Sequence, residues 1–116
     1  MEITTNFEDD IAIISLKGRL DASCAQDLRH HFTAVNKKKK INFIFDLSEL
    51  DFIDSTGLGV IISCLKSSME IRRYLLLVGM NYKVRMVFEI TRAHKIFDIF
   101  DTKKAAIDFL KVAEVS

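Results

Sequence analysis

Between Ile41 and Leu47 the chain runs Ile-Asn-Phe-Ile-Phe-Asp-Leu, an almost unbroken apolar stretch. Apolar side chains at successive positions of a strand point to both faces, so such a strand needs cover on both sides, as in a largely parallel sheet. The flanking segments supply that cover. Ala25, Leu28, Phe32 and Val35 follow helical spacing before the run, with Asp21 or Ser23 available to cap the helix. Leu58, Ile61, Ile62, Leu65 and Met69 mark a second amphipathic helix after it. Upstream, Ile3–Phe7 and Ile11–Leu16 read as antiparallel strands joined at Glu8-Asp9-Asp10. Downstream, Tyr74–Val78 reads as a buried strand closed by Gly79. Asn81 can cap a third helix with Val84, Val87, Phe88 and Thr91 on its inner side. Ile96–Phe100 follows as a short strand, and Thr102 can cap a last helix burying Ala106, Phe109, Leu110 and Ala113. At 116 residues, the alternation predicts one α/β domain over 1–116. Its mixed, mostly parallel sheet has about four to five strands covered by about four helices.

Composition narrows the function classes. Formal net charge is +1, which points to neither nucleic acid, acidic substrate nor charged membrane. Lys37–Lys40 is the one charge run, and it follows the first helix, where cations are favourable. It lacks the wide basic face with interleaved aromatics that nucleic-acid binding wants. The N-terminus shows no signal-peptide pattern and no apolar run approaches a membrane span, so a soluble, cytoplasmic chain without membrane insertion is expected. Cys24 and Cys64 read as two buried free thiols of a reduced cytosol. His30 and His31 are adjacent and diverge on a helix, and His94 stands apart, so no metal ligand set is expected.

The segment Asp51-Phe52-Ile53-Asp54-Ser55-Thr56-Gly57-Leu58-Gly59-Val60-Ile61 joins the central strand region to the second helix. Asp54 or Ser55 caps that helix, which leaves the Ser55 hydroxyl at the positive end of the helix dipole. Gly57 and Gly59 weaken the first turn but remove side-chain bulk, so another molecule's backbone can come close. Physics alone allows a plain capped, glycine-rich turn as well. Gly57-Leu58-Gly59 is no phosphate cradle, because no lysine follows in register and the three-glycine pattern is incomplete. Ser55 has no histidine or lysine base near it in sequence, so no catalytic set, cofactor or enzyme activity is expected.

Asp54-Ser55-Thr56-Gly57-Leu58-Gly59 resembles the phosphorylation loop of STAS domain proteins, specifically the bacterial anti-sigma factor antagonists. Gly18-Arg19-Leu20-Asp21 is similar to the family's element before its first helix. Asp46-Leu47-Ser48 is similar to the end of its central strand, and Gly79-Met80 to the turn after the next strand. The resemblance implies partner switching. The unmodified chain would bind an anti-sigma factor with serine-kinase activity and free a sigma factor. Phosphorylation of Ser55 would release the complex, and a serine phosphatase would reset it, with ATP and metal belonging to the partners. It further implies a docking surface of Asp21, Ser23, Asp54, Ser55, Thr56, Gly57, Leu58 and Gly59 on a chain that is monomeric when free. Two alternatives stand beside it. One is an unphosphorylated STAS module of a membrane transport or lipid-trafficking assembly. The other is a small nucleotide-binding or hydrolytic α/β domain. Because the phosphate would arrive at a helix N-terminus, its release effect is expected at the interface, with little refolding.

Overall fold

Two residues, Asp9 and Asp10, turn the chain between its first two strands, with Asp9 in the left-handed region at φ 52°. The structure, a computed structural model, describes residues 1–37 and 41–115, so Lys38–Lys40 of the basic run lie outside it. In chain order the elements are β1 (Glu2–Glu8), β2 (Ile11–Leu20), α1 (Ala25–Asn36), β3 (Asn42–Ile53) and α2 (Ser55–Glu70). They continue with β4 (Leu75–Val78), α3 (Tyr82–Ile90), a 3₁₀ turn (Ala93–Lys95), β5 (Asp98–Phe100) and α4 (Lys103–Val115). The five strands form one sheet in the order β1-β2-β3-β4-β5. β1 pairs antiparallel with β2, and the remaining pairs are parallel.

Alternating side chains divide the core in two. On one face Ala12, Ile14 and Leu16 of β2, Phe43, Phe45 and Leu47 of β3 and Leu75 and Leu77 of β4 pack under α1, α2 and α3. Phe32, Phe43 and Phe45 form the centre there, with ring centroids 4.5 to 6.5 Å apart. On the other face Ile13, Ile44, Leu76 and Val78 pack against Ala106 and Leu110 of α4. Three parallel steps between neighbouring strands in one direction carry their helices to the same face, because such crossovers share one hand. The helix after β5, α4, covers the opposite face.

The helical registers match the sequence spacing at Ala25, Leu28, Phe32 and Val35, all buried. Asn81 caps α3 by accepting from Val84 N at 2.9 Å, and Thr102 caps α4 by accepting from Ala105 N at 3.1 Å. Several expectations need correction. Neither Asp21 nor Ser23 caps α1: Cys24 holds the N-cap position and makes no side-chain cap. Met69 is 62% exposed in the last turn of α2, although it falls on the apolar spacing. Cys64 is buried, and burial pushes its thiol up to about 11, whereas Cys24 is only half-buried. The central strand does not end at Asp46-Leu47-Ser48. Past two irregularities in register it runs on to Ile53, and β2 runs on beside it to Leu20.

Candidate functional site

The parallel arrangement brings the C-terminal ends of β2, β3, β4 and β5 to one edge of the sheet, the edge at which α/β domains meet their ligands. Two strand-to-helix loops meet there through one side chain. Asp54, not Ser55, is the N-cap of α2, and its Oδ1 accepts from Gly57 N at 2.8 Å. Its other oxygen, Oδ2, accepts from Ala22 N at 3.0 Å in the loop after β2. Asp54 N in turn donates to Leu20 O at 3.2 Å. Both carboxylate oxygens are therefore engaged with backbone, and the β2–α1 loop is tied to the first turn of α2.

Gly57 makes that junction possible. A Cβ placed on it would lie 2.5 Å from Leu20 O and 2.7 Å from Leu20 Cγ, closer than real Cβ atoms come. Gly57 and Leu58 are buried, so within the predicted docking set these two support the surface from beneath. Gly59 differs: it is exposed, and a Cβ there would meet nothing within 4 Å.

Ser55 and Thr56 are exposed in the first turn of α2. The Ser55 hydroxyl thus stands in solvent, at the helix end where the unpaired backbone N–H groups gather. Asp21 and Ser23 lie in the loop that Asp54 holds. Asp21 Oδ1 accepts from Ser23 Oγ at 2.5 Å and from Ser23 N at 3.0 Å. Those two bonds, the hydroxyl's first, hold the Asp21 carboxyl below its ordinary range. The structure therefore brings all eight predicted residues to one edge, six of them at or near the surface.

Three neighbours went unnoticed in the sequence. Phe52, 36% exposed, lies under the Arg19 guanidinium at 3.9 Å, and Arg19 reaches Asp21 at 3.9 Å. Tyr82, 75% exposed, opens α3 on the same edge. Arg19 and Phe52 are cross-strand partners, a relation that the pairing creates and no local pattern announces. Tyr82 directly follows the capping Asn81, so its place at a helix start was legible.

Among the described residues no group of three or more His, Cys, Asp or Glu side chains could hold a metal ion. His31 pairs with Thr5 through Nε2, and His94 Nδ1 lies 3.2 Å from Phe88 O. No described helix is long and apolar enough to cross a membrane.

Comparison with known proteins bears on this geometry. The STAS domain family model matches residues 2–106. An anti-sigma-B factor antagonist of Listeria monocytogenes is 32% identical over 99 residues, covering 85% of this chain and 86% of its own length. The crystal structure of the protein TM1081 from Thermotoga maritima superposes with a TM-score of 0.88 at 28% identity, over 94% of each chain. The anti-sigma factor antagonist SpoIIAA in its unphosphorylated form has the same fold, with a TM-score of 0.74 at 19% identity over 95% of this chain and 98% of its own.

Proposed function

The chain belongs to the STAS domain family, and from that premise we propose that residues 1–116 form one STAS domain acting as a cytoplasmic anti-sigma factor antagonist. In this reading the unmodified chain binds an anti-sigma factor with serine-kinase activity and so frees a sigma factor. Phosphorylation of Ser55 ends the complex, and a serine phosphatase restores the hydroxyl. The observation that carries the reading is the exposed Ser55 in the first turn of α2, beside an aspartate whose two oxygens are already engaged.

The geometry divides the labour between the partners. Asp54 serves the backbone on both sides, so it is not free to take the proton of Ser55. This chain supplies an acceptor hydroxyl and its position. The base, the ATP and the metal ion come from the kinase, as phosphoryl transfer depends chiefly on positioning and charge stabilisation. A phosphate brings about −1.5 to −2 charge at neutral pH, which the α2 N-terminus tolerates. The partner surface is another matter. Asp54, Asp51 and Asp21 already make this edge acidic, and Arg19 is engaged with Asp21 and Phe52. Added negative charge and bulk therefore act on the interface.

The test is incubation with candidate kinases and ATP, followed by mass spectrometry of the peptide spanning Asp51–Lys66. One phosphate on Ser55 is the expected result. A kinase-like partner that binds this edge while Ser55 stays unmodified would overturn the switch and favour an unphosphorylated module of a transport or lipid-trafficking assembly.

A further inference from the structure

β1 closes one edge of the sheet, with β2 on one side and no strand on the other. Its hairpin fixes which backbone groups are left over. Glu8 faces Ile11 across the two-residue turn, and the ladder runs without a register shift to Glu2 opposite Lys17. The pair that closes a two-residue turn is hydrogen-bonded, and bonded pairs alternate from there. Glu8, Asn6, Thr4 and Glu2 therefore spend their N–H and C=O groups on β2, whereas those of Ile3, Thr5 and Phe7 point outward. The parity agrees with the bond from Asn42 N to Asp10 O, which puts Asp10, and with it Ala12 and Ile14, on the side of β3.

Exposed edge strands are ordinarily short, bulged, or guarded by lysine or proline. The far edge of this sheet, β5, has three residues. β1 has seven, Glu-Ile-Thr-Thr-Asn-Phe-Glu, with no lysine, proline or bulge. Its side chains also read alike from either end about Thr5: glutamate, apolar, polar, threonine, polar, apolar, glutamate. A two-fold interface requires that where one residue meets a second, the second meets the first, and this strand satisfies that condition. On the face covered by α1, Ile3 packs against the core and Thr5 pairs with His31. Phe7, of the same parity, remains 51% exposed.

We infer that β1 pairs antiparallel with β1 of a second copy of this chain, centred on Thr5, in a weak and concentration-dependent dimer. In that register Thr5 meets the second copy's Thr5 and Ile3 meets its Phe7, so every outward N–H and C=O finds a partner. The same pairs set an aromatic ring against a β-branched side chain at both ends, and threonine against threonine at the centre. Both are favourable cross-strand contacts. Against them stands Glu2 opposite the second copy's Glu8, a like-charge pair at each end. Lys17, on the other side of Glu2, offsets part of that repulsion. A seven-residue edge is also smaller than the patch that a tight complex buries. Antiparallel pairing turns one copy end for end, so the two Ser55 edges face away from each other and neither reading depends on the other. A weak dimer thus replaces the free monomer that the family resemblance implies.

Sedimentation of the full chain across a concentration series, with amide hydrogen exchange in parallel, tests the assignment. A dimer should form as concentration rises, and exchange at Ile3, Thr5 and Phe7 should slow in step with the dimer fraction. Phe7→Lys places a charge on the edge and should weaken dimerisation about tenfold. Glu8→Lys sets an ammonium opposite Glu2 at both ends and should tighten it about tenfold. Both positions are exposed, so the fold tolerates either change. A chain still monomeric at about 1 mM overturns the inference and leaves the edge to a foreign strand. Unchanged exchange at the three outward amides also overturns it, by placing the contact elsewhere. So does a dimer insensitive to Phe7→Lys, or one that Glu8→Lys fails to tighten.

Discussion

The proposed switch residue and the residue that caps its helix are neighbours with opposite demands. Ser55 must face solvent, whereas Asp54 is spent on the backbone of two loops. In the proposed cycle Ser55→Ala removes the acceptor without disturbing the cap, so it should bind the kinase-like partner constitutively. Ser55→Asp should bind weakly. A pull-down with and without ATP checks both, and tight binding by Ser55→Asp would mean that charge is not the lever. The two glycines of α2 make a second residue-scale contrast. Gly57→Ala drives a Cβ into the Leu20 carbonyl and side chain, and should cost about 1–3 kcal/mol as the two loops are forced apart. Gly59→Ala meets open space and should stabilise the chain by about 0.5–1 kcal/mol through helix propensity alone. Denaturant unfolding of the two variants should therefore move the midpoint in opposite directions. Equal losses would contradict this account of the junction.

Among the elements, α2 is the one that would accept the phosphate in the proposed cycle. Its cap lies in Asp54 rather than in the modified side chain, so α2 should remain intact. Backbone amide spectra of the Ser55 and phosphoserine forms should differ around residues 20–24 and 51–60 and agree elsewhere. Widespread changes in β4, β5 or α4 would contradict a local effect. The same cap shows the limits of what the sequence reveals. Asn81, Thr102 and the apolar spacing of α1 were legible because capping and helical periodicity act within a few residues. The tie from Asp54 to Ala22 spans 32 positions and exists only once β2 and β3 have paired. The true lengths of those strands were hidden for a different reason. Beyond Leu16 and Leu47, the face opposite the three helices carries Lys17, Ser48 and Glu49, which with Glu2, Thr4, Ser15 and Asp46 line a polar hollow. With no apolar cover to match, the hydrophobic pattern fades while the backbone ladder continues.

For the whole molecule, the one phosphate of the proposed cycle would reverse the balance of charge. The formal net charge is +1, and an added −1.5 to −2 makes it negative at neutral pH. The modified form should therefore be retained longer on an anion exchanger near pH 7 and should separate cleanly from the unmodified form. Co-elution of the two would show that the modification is absent. The split of the core was not legible in the sequence, because α4 has the same kind of apolar spacing as the other helices, and only the path of the backbone after β5 sends it to the far face. The sheet's running order, β1 to β5 without a skip, reaches beyond the folded state. A ribosome delivers each strand when the neighbour it must zip to has just emerged. No strand has to wait for a strand beyond its sequence neighbour, which keeps the loops closed by strand pairing short. The face under α4 closes later, so until that helix has been made the nascent domain presents one bare apolar surface, where Ile13, Ile44 and Leu76 await their lid.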